Sequence, residues 1–212
     1  MSQDARRARR AGRVVLQLYR DHAPIVEDAR ARMGVTCKAG CSHCCKLPAT
    51  ATVPEMVPVV DHLSNRCDWL RRKPALEREL NKQLAEFATI DVLNEHERAS
   101  FFQRQLPCVF LKDDRCEIYP IRPAVCRYHM VVSPPENCAL GAADPATARV
   151  DLRQLENDVA IKAAKALGEL LGGPIALAFV LAADLIGVKI NVDRVLVEQV
   201  LHVCMKIERV TG

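Results

Sequence analysis

Apolar residues recur at steps of three and four along most of this chain, which is the spacing of one buried face of an α-helix. The first such stripe runs from Val15 to Met33, and Gly34 is suited to end the helix. Residues 52–55 have the pattern of a capping box with a proline in the first turn, which predicts a second helix reaching about Cys67. Further helical patterns cover about residues 74–87, 92–105, 146–171, 174–186 and 192–210.

A different pattern occupies residues 108–119, where two short apolar runs flank the polar stretch 112–115. This arrangement predicts a small β-hairpin. Prolines end the second strand, and a helical turn from about Arg122 then follows. The fold class predicted from these patterns is mostly α, with helices framing a cysteine-rich core that contains one small β-hairpin.

Composition agrees with a helical, globular chain of 212 residues. Hydrophobic residues make up 50% of it, so it can bury a core, and aromatic residues only 4%, which favours helix packing over aromatic-rich strands. The patterns predict an N-terminal basic arm and helix at 1–34, a cysteine-cluster domain at 35–140 and a C-terminal helical region at 141–212 packing on it. A loop or linker is predicted at 133–145.

The net charge of +4 comes from the first thirteen residues, which contain five arginines and Asp4, while the rest of the chain is balanced. A terminal charge run is usually solvated, and no basic region here is interleaved with aromatic residues. The sequence therefore predicts no nucleic-acid partner.

The apolar run at 14–16 is interrupted at once by polar residues, so we expect no secretory signal and a cytoplasmic protein. The apolar segment 170–188 contains Gly172, Gly173, Pro174 and Asp184, which favours a buried helix over a membrane span.

Ten cysteines in a reducing compartment indicate metal or redox chemistry rather than disulfides. Crowded thiolates repel each other unless a cation neutralises them, and soft sulfur ligands favour zinc, cuprous copper or iron–sulfur centres. A four-thiolate site, a bridged two-metal site and an iron–sulfur cluster all stay open. Cys67 and Cys204 lie in helical patterns and are predicted to be small core residues. The predicted ligands are Cys37, Cys41, Cys44 and Cys45, which fall within nine residues, together with Cys108, Cys116 and Cys126.

Other side chains near these cysteines have chemistry that suits such a site. His43 and His129 are candidates for a metal ligand or for a hydrogen-bond partner of one. Arg122 and Arg127 flank Cys126 and could stabilise thiolate charge or bind an anionic group, and Tyr119 could cap the site. All five could equally be structural.

Three blocks of the sequence resemble the YkgJ-like cysteine-cluster family, which is described as chelating zinc or iron. The blocks are residues 37–45, residues 107–119 with Cys108 and Cys116, and residues 122–127. The resemblance covers about residues 37–138 and implies that Cys138 joins the ligands. One difference is the gap of three residues between Cys37 and Cys41, where the family signature has two.

The resemblance implies a metal ion as the partner, bound as zinc or iron, with a [4Fe-4S] cluster as a further option. A flagellin lysine methylase is similar to this family, so an S-adenosylmethionine-dependent protein lysine methylase is the alternative function. The spacing of Cys37, Cys41 and Cys44 also resembles that of radical S-adenosylmethionine enzymes, but the strands of their barrel are not predicted here. Whether the protein is an enzyme, with a protein substrate, or a binding module that serves a client protein stays open.

Overall fold

The computed structural model describes residues 1–91, 94–140 and 147–211, apart from the side chains of residues 98, 139, 140 and 205–211. Within these ranges the chain is mostly helical, which confirms the predicted fold class. Short 3-10 helices occur at His43–Lys46, Tyr119–Ile121 and Pro135–Leu140. The α-helices are α1 (Gln3–Met33), α2 (Val53–Ser64), α3 (Trp69–Ala88), α4 (Glu95–Gln103), α5 (Ala124–Arg127), α6 (Arg153–Leu167), α7 (Ile175–Ile186) and α8 (Arg194–Thr211).

Helix α1 begins inside the predicted basic arm. Ser2 caps it by accepting a hydrogen bond from the Ala5 amide at 3.1 Å. Gly34 ends it with a φ of 64°, a left-handed conformation that glycine adopts without strain, so the predicted end of the helix is confirmed. The arginines of residues 6–13 therefore lie on the first turns of a helix whose other face buries Ala8.

The core is built around α2 and α7, which are almost wholly buried. At the start of α2 the Glu55 carboxylate accepts hydrogen bonds from the Thr52 amide and hydroxyl, both at 2.8 Å, which confirms the capping box. Helix α7 packs against α2, while α1 contacts α6 and α3 contacts α8. Among the helices that the structure describes, none has both the length and the hydrophobicity that crossing a membrane requires.

The predicted hairpin is present, with short strands. Strand β2 (Leu111–Lys112) pairs antiparallel with β3 (Arg115–Cys116). The turn between them has φ values of 48° at Asp113 and 56° at Asp114, as a type I′ turn requires. This tight turn brings the two ends of the hairpin together, and with them two of the predicted ligands, Cys108 and Cys116.

A second strand pair has no counterpart in the sequence prediction. Strand β1 (Thr50–Thr52) pairs antiparallel with β4 (Gly172–Pro174). Glycine and proline carry no strand signal, which is why the pattern misses β4. A β-carbon at Gly172 would lie 2.7 Å from the Ala51 carbonyl oxygen, so the close approach of the two strands requires glycine.

Several predicted boundaries shift. Helix α6 begins at Arg153, and the predicted loop at 133–145 contains the 3-10 helix Pro135–Leu140. The helix starts predicted at about residues 92 and 146, and positions 141–145 of the predicted linker, lie outside the described residues. The division into three regions stays a prediction.

Candidate metal centre

Four cysteines follow the end of α1. The chain turns at Gly40, where φ is 88°, and the Cys41 amide donates a hydrogen bond to a carbonyl three residues earlier at 3.1 Å. The 3-10 helix His43–Lys46 then carries Cys44 and Cys45 next to each other. The first cysteine block is therefore a compact loop closed by backbone hydrogen bonds.

Cys108 and Cys116 lie at the two ends of the hairpin and are held in the same way. The Phe110 amide hydrogen-bonds to the Cys108 thiol, and the Ile118 amide hydrogen-bonds to the Cys116 thiol. Amide donors stabilise negative charge on sulfur, so these two bonds act to lower the pKa of Cys108 and Cys116, although burial has the larger, opposite effect. The Cys108 amide also donates to the Cys45 carbonyl at 2.8 Å, which joins the hairpin to the first block.

The segment from α5 onward contributes two further cysteines. Cys126 lies on the single turn of α5. Beyond it, the Val131 amide donates a hydrogen bond to the Cys37 thiol at 3.3 Å. The buried Cys138 thiol lies 3.8 Å from His129 Nε2. The segment after α5 thus contains Cys138 and also contacts Cys37, which lies far earlier in the chain.

A buried carboxylate positions α5, and the sequence reveals only part of its role. Glu55, 4% exposed, accepts hydrogen bonds on Oε1 from the Ala124 amide at 2.7 Å and the Tyr19 hydroxyl at 2.9 Å. Its other oxygen caps α2, so one carboxylate ties α1, α2 and α5 together. The pattern identifies Glu55 as a helix cap, but the bond to Ala124, which orients the turn carrying Cys126, spans 69 residues and has no local signal.

Cys44 lies at the centre of the thiol cluster, the name used here for the eight cysteines predicted as ligands. A hydrogen bond from the Cys45 thiol holds the pKa of Cys44 at about 7, and the same bond raises the pKa of Cys45. Burial raises the pKa of the other thiols for which a shift is resolved, because a low-dielectric surrounding disfavours the thiolate. These thiols are Cys37, Cys108 (about 12), Cys116, Cys126 and Cys138 (about 11), and the charge of Cys44 contributes to each increase.

The thiol cluster has donors that suit a soft metal ion. All ten cysteines of the chain are free thiols. In residues 1–91, 94–140 and 147–211, no three His, Cys, Asp or Glu side chains converge closely enough to hold an ion as they stand. A metal ion would therefore have to draw the sulfur atoms together, replacing thiol protons and removing the repulsion between thiolates.

Arg122 supplies positive charge to the thiol cluster. The charge of its guanidinium lowers the pKa of Cys44, and it opposes the larger effect of burial, which raises the pKa of Cys116 and Cys126. It lies 4.1 Å from the centroid of the Tyr119 ring, and its buried Nε has no hydrogen-bond partner among the described residues. A cation placed there offsets the charge of bound thiolates.

Arg127 makes different contacts from Arg122. Its guanidinium lies 4.3 Å from the centroid of the Tyr19 ring and donates a hydrogen bond to the Pro120 carbonyl. These contacts join α5 to α1 and to the segment before α5. The cofactor-binding roles of Tyr119, Arg122 and Arg127 stay predictions.

The two candidate histidines lie in different surroundings. Burial lowers the pKa of His129 to about 4, helped by the positive charges of Arg149 and Arg122, so its ring is neutral at pH 7. A neutral imidazole 3.8 Å from the Cys138 thiol suits a metal ligand or a hydrogen-bond partner of one. His43 is half-buried in the 3-10 helix that carries Cys44.

The two cysteines predicted to be core residues differ. Cys204 is half-buried on α8 against the hydrophobic core. Cys67 is exposed between α2 and α3, so the prediction for it was wrong. Helix α2 ends at Ser64, three residues before Cys67, which removes the helical face on which the prediction rested.

Comparison with known proteins gives one match. A family model with the description "Putative zinc- or iron-chelating domain" matches residues 36–144, which is about half of the chain and contains all eight cysteines of the thiol cluster. No curated protein and no solved structure matches the chain.

Proposed function

Because this chain belongs to the CxxCxxCC family, we propose that it binds zinc or iron through thiolates of the thiol cluster. The observation that supports this most is that the charge of Cys44 raises the pKa of free thiols on four separate segments of the chain. Several thiols buried this close together cannot all ionise unless a cation compensates their charge. A metal ion is the compensating charge that sulfur ligands of this kind select.

The cysteines of the thiol cluster form two sets, judged by which thiols raise the pKa of which others, and both sets include Cys44. In the first set, Cys108 and Cys116 raise the pKa of both Cys45 and Cys126. The second set consists of Cys37, Cys41 and Cys138, where the first two raise the pKa of the third. With Cys44, each set contains at least four sulfur donors, the number that tetrahedral zinc or a cubane cluster takes. This supports two ions, or one polynuclear centre bridged at Cys44.

A zinc centre with four thiolates would stabilise the loops that hold it and supply no open position for chemistry. The thiols beyond those four can also hold a polynuclear centre, which supports a second candidate, an iron–sulfur enzyme. The alternative function, an S-adenosylmethionine-dependent protein lysine methylase, belongs to this second class. In such an enzyme the iron–sulfur cluster would be the reactive group. Acid-labile sulfide separates the two candidates, because zinc thiolate sites contain none.

The first experiment is to purify the protein without oxygen and to measure zinc, iron and acid-labile sulfide, with an ultraviolet–visible spectrum of the same sample. Cys44→Ser is the test variant, since Cys44 belongs to both sets. Cys67→Ser is the matched control, because it removes an exposed thiol outside the thiol cluster. We expect Cys44→Ser to lose at least half of the bound metal and Cys67→Ser to keep all of it.

The outcomes separate clearly. Colourless protein with zinc and no sulfide supports a chelating or structural site, and brown protein with iron and sulfide supports the iron–sulfur candidate. Wild-type protein that binds neither metal on reconstitution under reducing conditions contradicts the proposal. Equal metal content in Cys44→Ser and Cys67→Ser would remove Cys44 from the ligands.

We also propose that the protein works in the cytoplasm, where thiols stay reduced. Free, clustered cysteines support this, since an oxidising compartment favours disulfides among thiols so close together. Fusion to a fluorescent protein and imaging of the cells tests it.

A further inference from the structure

A groove of about 690 Å³ lies between α3 and the hairpin, and we call it the α3 groove. One side is a stripe of α3 at steps of four, three and four residues: Arg71, Ala75, Arg78 and Lys82. Lys112, on β2, lines the groove from the hairpin. The small side chain of Ala75 leaves space between the cations on either side of it.

Positive charge dominates the α3 groove. Five of its lining residues are cationic and two, Asp68 and Glu79, are acidic. Arg72 is neutralised by Glu117, to which its Nε donates at 3.1 Å, and Asp68 is neutralised by Arg66 at 2.8 Å. The remaining cations are Arg71, Arg78, Lys82 and Lys112, which make no ion pair or side-chain hydrogen bond within the described part of the chain and face the single carboxylate of Glu79.

The size of the α3 groove limits what it can bind. Arg71 and Lys82 are eleven residues apart, which is about 16 Å along a helix. The volume lies within the range of about 300–1,000 Å³ that is typical of small-molecule sites. Leu111, which is half-buried, supplies apolar surface beside the cations, where an organic group can pack. These dimensions suit a small anion with a chain of charges and an apolar end.

We propose that the α3 groove binds a phosphate-bearing organic anion of nucleotide size, with its phosphates along the cations of α3. Arginine matches phosphate oxygens with paired N–H donors, and lysine adds a point charge. Cys108 also lines the groove, so the bound anion lies at the edge of the thiol cluster. The proposed contacts to phosphate come from arginine and lysine side chains rather than from Cys108, so phosphate recognition and metal binding use different residues.

The test is calorimetric titration of the full-length protein with adenosine triphosphate and, separately, with inorganic tripolyphosphate. The variant Arg78→Glu/Lys82→Glu reverses two unpaired charges in the groove. The control Arg6→Glu/Arg10→Glu reverses two exposed charges on α1, so both variants change the net charge equally. Because the groove variant loses charged hydrogen bonds to phosphate, we expect its Kd to be at least about tenfold higher than that of wild type. The Kd of the control should stay within about twofold of wild type.

Circular dichroism melting of both variants checks that they fold, and metal content measured in parallel keeps this test separate from the metal proposal. Tighter binding of adenosine triphosphate than of tripolyphosphate indicates that the apolar surface contributes, and equal binding indicates recognition of the phosphates alone. Both results support the site. Equal loss in the two variants, no binding by wild type, or tighter binding of a polyglutamate peptide than of either phosphate compound would overturn it.

Discussion

At the scale of single residues, the thiol cluster is a set of mostly protonated thiols around one partly ionised cysteine. The hydrogen bond from Cys45 holds the pKa of Cys44 at about 7, while burial keeps the pKa of Cys108 at about 12 and that of Cys138 at about 11. At pH 7 these two buried thiols therefore carry their protons, and Cys44 is partly ionised. A metal ion must displace protons to bind them.

This gives a prediction for proton release. Each thiol whose pKa lies above 7 releases about one proton when it becomes a metal ligand, so a four-thiolate zinc site that includes Cys44 should release between about three and four protons at pH 7. Zinc affinity should fall as pH decreases, because protons compete with zinc for the same sulfur atoms. Titration calorimetry in buffers of different ionisation enthalpy counts the protons. Release of less than about one proton would mean that the ligands are not these thiols.

At the scale of elements, close backbone contacts hold the loops that carry the cysteines. The first cysteine block leads directly into β1, whose partner β4 begins at Gly172. Glu55 then connects the start of α2 to the first residue of α5 through the Ala124 amide. The hairpin is tied to α3 by Arg72 and Glu117, whose side chains are 16% and 11% exposed. The predicted metal ligands on loops are thus positioned by elements outside those loops.

Gly172 of β4 provides a prediction about the contact between β1 and β4. In Gly172→Ala the new β-carbon would lie 2.7 Å from the Ala51 carbonyl oxygen, so the strands must separate. Overpacking of this kind lowers the free energy of unfolding by about 2–3 kcal/mol. Gly34→Ala is the control: it meets nothing within 4 Å, and its left-handed φ alone costs about 1 kcal/mol. Urea unfolding measures both, and an equal loss in the two variants would show that the strand contact does not limit stability.

At the scale of the whole molecule, the thiol cluster joins segments that lie about a hundred residues apart in the chain. Cys37 follows α1, the hairpin follows α4, and Cys138 precedes the segment that leads to α6. The helices around them form a core centred on α2 and α7, and Cys108, Cys116 and Cys126 pack against that core. Because this core consists mainly of helix side chains, we expect it to fold without metal, and we expect bound metal to add stability to the loops.

Removing the metal should lower the free energy of unfolding without abolishing the fold. A ligand present at a hundred times its Kd stabilises a folded protein by about 2.7 kcal/mol. Urea unfolding in buffered zinc and in chelator, under reducing conditions, should differ by about this amount for wild type and Cys67→Ser, and by much less for Cys44→Ser. The same stability in both conditions would mean that zinc does not bind the folded protein.

The sequence by itself was sufficient for features with a local cause. Periodicity predicted α7 and the part of α1 from Val15 onward, the capping box at Thr52 and Glu55 predicted the start of α2, and the polar stretch 112–115 between apolar runs predicted the hairpin. Cysteine spacing predicted which segments carry the thiols. Each of these depends on residues within a few positions of one another, so the sequence pattern contains the whole signal.

Only the tertiary structure decided the features that depend on distant residues. The pairing of β1 with β4, the second hydrogen-bonding role of Glu55 and the meeting of Cys37 with Val131 all join positions far apart in the chain. Cys67 is exposed because α2 ends before it. The α3 groove exists because the hairpin packs beside α3. The physical reason is that burial and hydrogen bonding between distant segments arise from packing, which leaves no periodic trace in the sequence.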